Sequence, residues 1–305
     1  MEAVERALRA QATQTARFPL RQMVAVPDGI LGAMPGAVGG EGPKLGAKLV
    51  TFFPDNAKLG RETHQALIAL FDAANGEPLA LLDGRVITEM RTAAASALAT
   101  RALATPGART LAILGTGVQA RAHARALSDV MRIDELRIWG RNRLHVQTLC
   151  ATLRDEGLPA RPVESAETAC KGAAVICTVT STSEAIVPTG AVEGGVHMNV
   201  VGSSVPHKRE IPSDLMALAS IFVDSIDGAL HEAGDITMAI ADGALPAQPR
   251  LTLLADVIAG HTIGRTSPEE ITLFKSLGIA IWDVACAALV YERARARGIG
   301  STLKM

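Results

Sequence analysis

The sequence predicts an α/β protein in which a doubly wound parallel sheet is inserted into a smaller α+β portion. Three observations carry that prediction. Short apolar runs at 111–114, 136–139, 175–179, 197–201 and 221–223 alternate with helical or loop stretches, the rhythm of repeated β-α-β units. Before them the chain is strand-rich, with Asn75-Gly76 and Asp83-Gly84 marking tight turns of the kind that join antiparallel strands. After Pro268 a helical segment runs to about Arg297, broken near Gly278, and is placed to return to the first portion.

Taken in order, residues 1–9 read as an amphipathic helix rather than a signal peptide. Strands are predicted at 29–34 and 47–53, joined by a glycine-rich connection over 36–46, and again at 67–71 and 79–82. An alanine-rich helix follows over 92–104. The predicted division is 1–104 for the first segment, 105–272 for the parallel-sheet domain and 273–305 for the closing helical segment.

Composition narrows the class. A chain of 305 residues is long enough for about two domains, and its 48% hydrophobic but only 3% aromatic content means that alanine and small aliphatics fill the core. A net charge of −1 argues against a nucleic-acid binder with a basic surface. No apolar run reaches the length of a membrane span. Cys150, Cys170, Cys177 and Cys286 lack C-x-x-C spacing and read as reduced core residues of a cytoplasmic protein. The histidines form no H-E-x-x-H cluster, so no metal site is predicted.

The most informative stretch is Arg109-Thr-Leu-Ala-Ile-Leu-Gly-Thr-Gly-Val-Gln-Ala120, a strand, a glycine turn and a helix start. Gly115 permits the sharp turn and Gly117 lets the backbone approach a pyrophosphate. Ala120 takes the third small position, where the helix packs on its strand. The free N–H groups and positive end of that helix then meet the phosphates, which makes this a dinucleotide-binding, Rossmann-type unit. An NAD-binding unit usually offers Asp or Glu at the end of its second strand. Here that strand ends Ile138-Trp139-Gly140-Arg141-Asn142-Arg143, with no carboxylate and two guanidinium groups suited to a 2′-phosphate. NADPH is therefore predicted, with NADH as the alternative; ordinary surface arginines are the plainer explanation.

Three cations in the first segment stand out. Lys48 shares a strand face with Val50 and Phe52, so it lies at a sheet edge or needs a buried negative partner. Arg91 stands near the start of the alanine helix, where a cation opposes the helix dipole, and so suggests a shared anion; a solvated arginine is the alternative. Arg21, in Phe18-Pro19-Leu20-Arg21, carries little weight alone. If the three converge they suit a substrate carboxylate. Asp224 and Asp235 read equally well as polar site residues and as caps of a turn or helix.

The chain resembles the ornithine cyclodeaminase/mu-crystallin family, and its mu-crystallin-like ketimine reductase branch most. The resemblance is carried by Lys48-Leu-Val-Thr-Phe-Phe53, Asp83-Gly-Arg-Val-Ile-Thr-Glu-Met-Arg-Thr-Ala-Ala94 and Ile113-Leu-Gly-Thr-Gly-Val-Gln-Ala120. Arg137-Ile-Trp-Gly-Arg141, Val201-Gly-Ser-Ser-Val-Pro206, Phe222-Val-Asp-Ser225, Glu232-Ala-Gly-Asp235 and Phe274-Lys-Ser-Leu-Gly278 follow in family order. It implies a homodimer whose first domain carries the substrate site and dimer contacts, with the cofactor on the Rossmann domain. By position it implies Arg21, Lys48 and Arg91 on the substrate carboxylate, with Met34 beside the substrate or simply in the core. Gly115, Gly117, Val118 and Gln119 would line the pyrophosphate, and Arg141, with Asn142 and Arg143, the adenosine end. Thr180, Val201 and Lys275-Ser276-Leu277 would flank the nicotinamide. The family's usual opening strand has no counterpart at the start of this sequence.

Two departures separate the branches. Cyclodeaminases of the family carry an aspartate in a Gly-Gly-Asp-x-Pro segment, where this chain has Ser204. They also carry a glutamate shortly before the Met-Pro pair, where this chain has Gly32-Ala33 before Met34-Pro35. Without those carboxylates ornithine cyclisation lacks its proton-handling groups. The resemblance thus implies reduction of a cyclic ketimine such as pyrroline-2-carboxylate or piperideine-2-carboxylate, with Lys48 or a water held by Ser204 as proton donor. Amino-acid dehydrogenation, the reductive amination of a 2-keto acid, is the alternative. Ornithine cyclodeamination and ligand binding without turnover rank below it.

Overall fold

A computed structural model describes residues 1–40 and 42–302. In chain order its helices and strands are α1 (Glu2–Ala12), β1 (Ala16–Arg17), β2 (Gln22–Val26), β3 (Gly29–Val38), β4 (Lys44–Phe52), β5 (His64–Asp72), β6 (Pro78–Asp83) and α2 (Gly84–Leu103). Then come β7 (Thr110–Leu114), α3 (Val118–Ser128), β8 (Glu135–Trp139), α4 (Arg143–Asp155), β9 (Ala160–Pro162), α5 (Ala166–Cys170), β10 (Val175–Thr178) and β11 (His197–Val200). The chain continues through α6 (Ser213–Leu218), β12 (Ser220–Val223), α7 (Ile226–Glu232), α8 (Gly234–Ala241), β13 (Leu251–Leu253), α9 (Leu254–Ala259), β14 (Thr272–Lys275) and α10 (Ala280–Ala296). Two compact units result, Met1–Arg91 with Ile279–Met305, and Thr92–Gly278.

The first unit is an antiparallel sheet in the order β1-β3-β4-β5-β6, with β2 on the side of β3. Helix α10 packs on β3, β4 and β5, and α1 packs on α10. The glycine-rich stretch expected as a long connection is instead largely strand, since β3 runs to Val38 and β4 starts at Lys44. Close packing explains those glycines: a Cβ at Gly36 would lie 3.0 Å from Ala280 Cβ of α10, and one at Gly46 would lie 2.6 Å from the Ala69 carbonyl of β5 and 3.3 Å from Val284 Cγ2 of α10. Asp83-Gly84, expected as a hairpin turn, starts α2 eight residues before the alanine-rich segment. The Asp83 carboxylate accepts from the Arg85 N–H at 2.8 Å and so caps the helix.

The second unit is an eight-stranded parallel sheet in the order β13-β12-β14-β11-β10-β7-β8-β9. Strands such as β7, with Leu111 to Leu114 all inaccessible, are covered on both faces. One apolar core, containing Leu114, Met198 and Ile236, lies on one face; another, containing Ile113, Leu127 and Leu153, lies on the other. This is the predicted Rossmann-type fold.

Both joins differ from the predicted 104 and 272. The second half of α2 belongs to the parallel-sheet unit because Ser96 bonds His123 of α3 and Thr100 accepts from Asn199 of β11. The segment expected to be helical after Pro268 contains β14, which pairs with both β11 and β12 and buries Leu273 and Phe274. A left-handed Gly278, at φ 79°, ends that strand segment before α10 begins. Among the described residues no helix is long and apolar enough to cross a membrane.

Candidate active site

In the first unit, β3, β4, α2 and α10 bring four side chains to one place. Alternation along β4 turns Lys48 inward, beneath α10, where it is 2% exposed. Its ammonium lies 2.8 Å from Oδ2 of Asp283, so the buried negative partner demanded by its apolar strand face is present. Arg91 donates through Nε to Oδ1 of the same carboxylate at 2.9 Å, and its guanidinium lies 5.8 Å from the Trp282 ring centroid. Its Nη1 is buried and has no hydrogen-bond partner among the described residues. Because α2 starts at Gly84, Arg91 is two turns into the helix, so the dipole argument does not apply. The shared anion is Asp283.

Met34 is the cross-strand partner of Lys48 and is itself buried. Arg21, half-buried between β1 and β2, lies near enough for its charge to bear on Lys48. Burial pulls the Lys48 pKa down to about 8; Asp283 opposes that fall, while Arg91 and Arg21 add to it. Burial alone would raise the Asp283 carboxyl, yet Arg91 and Lys48 together hold it below its usual value, so it stays ionised. Asp283 escaped the sequence reading. Its signal was a lone carboxylate in the apolar run Ile279-Ala-Ile-Trp-Asp-Val-Ala-Cys286, which must be paired to be buried.

In the second unit the site lies where the strand order reverses, at the carboxyl ends of the neighbouring strands β7 and β10. Gly115, at φ 134°, turns the chain so closely that a Cβ would lie 2.7 Å from the Val179 carbonyl. Gly117 caps α3 with no side-chain hydrogen bond, and a Cβ there would meet nothing within 4 Å. Val118 is exposed, and Gln119 Oε1 is buried without a partner among the described residues. An uncapped helix N-terminus over open space fits a dinucleotide diphosphate. At the end of β8, Asn142 accepts from the Leu144 and His145 amides and is thereby the cap of α4. Arg143 is exposed and pairs with Glu164 at 2.7 Å; Arg141 is exposed and has no ion pair among the described residues.

The loops beyond β10 and β11 are tied together by Glu210, which the sequence reading also missed. Its Oε1 accepts from the amide and hydroxyl of Thr180 at 2.8 and 2.7 Å. Its Oε2 accepts from Thr178 at 2.8 Å and from the Gly202 amide at 2.7 Å. Val201 donates to the Thr178 carbonyl, and Ser204 is half-buried in the same loop. Asp235 accepts from the Glu210 and Ile211 amides and lies 2.9 Å from Nζ of the inaccessible Lys275. Asp224 accepts from the Leu277 and Gly278 amides, both at 2.7 Å. Both aspartates therefore hold backbone, and the Lys275 side chain is turned inward onto Asp235. Ser276 and Leu277 are buried beside it.

A parallel sheet with its glycine turn in one unit and a group of buried cations in the other define a two-unit dinucleotide-binding protein. The chain belongs to the ornithine cyclodeaminase/mu-crystallin family, whose model matches residues 1–298. It is 40% identical over 276 residues to the ketimine reductase mu-crystallin of Mus musculus, covering 90% of this chain and 84% of that protein. Among solved structures, Thermococcus litoralis Delta(1)-pyrroline-2-carboxylate reductase in complex with NADH and L-proline superposes with a TM-score of 0.95. That pair is 34% identical and covers 99% of this chain and 94% of the other. An archaeal alanine dehydrogenase dimer with bound NAD gives 0.94 at 34% identity, covering 100% and 93%.

Proposed function

We propose that the protein reduces a small imine carrying an α-carboxylate, such as pyrroline-2-carboxylate or piperideine-2-carboxylate, to the amino acid, using NADPH or NADH. The observation that carries this reading is the buried group of Lys48, Arg91 and Asp283, with the near Arg21. It holds more cations than carboxylates and leaves Nη1 of Arg91 free for an anion. A substrate carboxylate fits that edge and the surplus charge. Relatives named for imine or ketimine reduction and for a complex with L-proline support the substrate class.

The reduced nicotinamide, when bound, supplies the hydride. The chain's own residues orient and protonate. Arg91 and Arg21 hold the substrate carboxylate with Lys48, and Met34 packs beside them. Lys48, whose pKa is about 8, is matched to giving a proton to the imine nitrogen near neutral pH. Ser204 is the other candidate, through a held water. We assign Gly115, Gly117, Val118 and Gln119 to the pyrophosphate. Thr180, Val201 and the backbone of 276–277 are assigned to the nicotinamide end. Arg141, with no ion pair of its own, favours NADPH through a 2′-phosphate, while the two solved neighbours carry NADH and NAD.

Reductive amination of a 2-keto acid is the second reading, favoured by the likeness to the archaeal alanine dehydrogenase. Ser204 in place of an aspartate, and Gly32-Ala33 in place of a glutamate, stand against cyclodeamination. A homodimer and a cytoplasmic location are part of the proposal. All four cysteines are free, and burial pushes the Cys170 and Cys177 thiols up to about 12, as suits a reducing compartment.

The test is loss of NADPH and NADH absorbance with each cyclic imine in the absence of free amine. Turnover is expected, faster with NADPH at equal low concentration. Activity only with a 2-keto acid plus ammonia or methylamine would replace this reading with the second.

A further inference from the structure

We infer that Asp283 is a positioning residue for this reaction: it keeps Lys48 cationic and fixes Arg91 so that its Nη1 stays without a partner among the described residues. The inference rests on the imine-reduction reading. Its geometry stands independently. A single carboxylate, inaccessible to solvent, touches Lys48 through Oδ2 at 2.8 Å and Arg91 through Oδ1 at 2.9 Å. Removing a lysine from water favours its neutral form, and two neighbouring arginines push the same way. Of the groups facing Lys48 among the described residues, Asp283 on α10 is the one opposing charge. The others are Arg91 on α2, Arg21 between β1 and β2, and His64 at the end of β5, on which the Lys48 charge also bears.

The chemical consequence concerns the proton. During reduction the imine carbon gains hydride from the nicotinamide, and the C=N π pair takes a proton from Nζ of Lys48 to give the amine. Lys48 is left neutral and is recharged from water. A neutral Lys48 cannot start the next turnover as donor, so the fraction charged at working pH sets the rate, and Asp283 sets that fraction. The same carboxylate takes Nε of Arg91, which leaves Nη1 for the substrate rather than for a second protein partner.

The test is an NMR titration of protein carrying 13Cε-lysine, with Lys48 assigned by its loss in Lys48→Arg. In the wild type the Lys48 midpoint is expected near pH 8, and in Asp283→Asn at least about one unit lower. In parallel, the high-pH limb of kcat should move acidward with the Lys48 midpoint. That makes Asp283→Asn at least roughly fivefold slower at the original midpoint and closer to wild type in acid. Asp283→Glu, which keeps the charge, should restore most of both effects. A wild-type midpoint at the ordinary 10.5, or one that Asp283→Asn leaves unmoved, overturns the inference. The wild-type titration needs no variant to fold. If Lys48 titrates as expected but no imine is turned over, the functional reading falls and the Lys48–Asp283 coupling stands.

Discussion

Gly115 and Gly117 stand two positions apart in one turn and should respond oppositely to an added methyl group. At Gly115 an alanine would need φ 134° and would press its Cβ to 2.7 Å from the Val179 carbonyl. Gly115→Ala is expected to cost about 2 kcal/mol or more, read as a lower denaturation midpoint. At Gly117 the backbone conformation is open to any residue and no protein atom lies within 4 Å. Gly117→Ala should leave thermal stability nearly unchanged while raising the KM for the dinucleotide roughly tenfold, a loss of about 1.4 kcal/mol in binding. Unchanged cofactor affinity in Gly117→Ala would mean that the α3 N-terminus does not seat the diphosphate. Both glycines were legible as a motif. Lys48 was legible only as a residue in need of a partner, because sequence spacing does not say which distant carboxylate a strand will meet.

At the scale of elements, α2 and α3 are joined by a buried hydrogen-bonded pair, and β11 and β14 by another. His123 contacts the Gln119 carbonyl through Nδ1 at 2.8 Å, so that nitrogen carries the proton and Ser96 donates to Nε2 at 2.9 Å. Burial drives the His123 pKa down to about 4, and burial with the nearby Arg265 charge drives His197, paired with Thr272, down to about 3. Both rings are neutral in the folded protein, whereas the unfolded chain takes up protons below the ordinary 6.5. Their contribution to stability is therefore fully present above pH 6.5 and is lost as pH falls through the folded values. Each histidine contributes on the order of 3 to 5 kcal/mol to that loss. Urea denaturation from about pH 7 down to about pH 4.5 should show falling stability, and His123→Gln should flatten the slope. A slope that is the same in that variant would remove His123 from the account. The elements missed by sequence share a cause. Gly36 and Gly46 look like loop residues but sit in strands where a helix, and at Gly46 the neighbouring strand as well, leaves no room for a side chain; β14 looks helical by its neighbours but is claimed by two flanking strands.

At the scale of the whole molecule, the antiparallel sheet leaves one face uncovered. Its inward positions lie under α10, while Val24 and Leu31 face each other on the other side, as do Leu49 and Leu67. Leu45 and Leu81 lie on that side too, and Leu81 is 65% exposed. A run of exposed apolar side chains across five strands is the kind of surface that another chain covers. In our proposal that chain is a second copy, as in the archaeal dimer that this chain resembles. Light scattering after gel filtration should give twice the chain mass, and Leu49→Asp with Leu67→Asp should give a monomer. A wild-type monomer at micromolar concentration would refute the dimer.

The sequence by itself determined the parallel sheet, the glycine turn of the cofactor site and the membership of the family. These are written in periodicity and in residues adjacent along the chain, where local geometry acts. The tertiary structure alone decided that Lys48 and Arg91 share Asp283, nearly two hundred residues beyond Arg91. It likewise decided that Glu210 ties the loops of Thr180 and Gly202, and that Asp235 and Asp224 accept from backbone amides. Each of those choices pairs a buried charge with whatever group the fold brings within 3 Å. Burial makes such pairing compulsory, but only the packed chain names the partner.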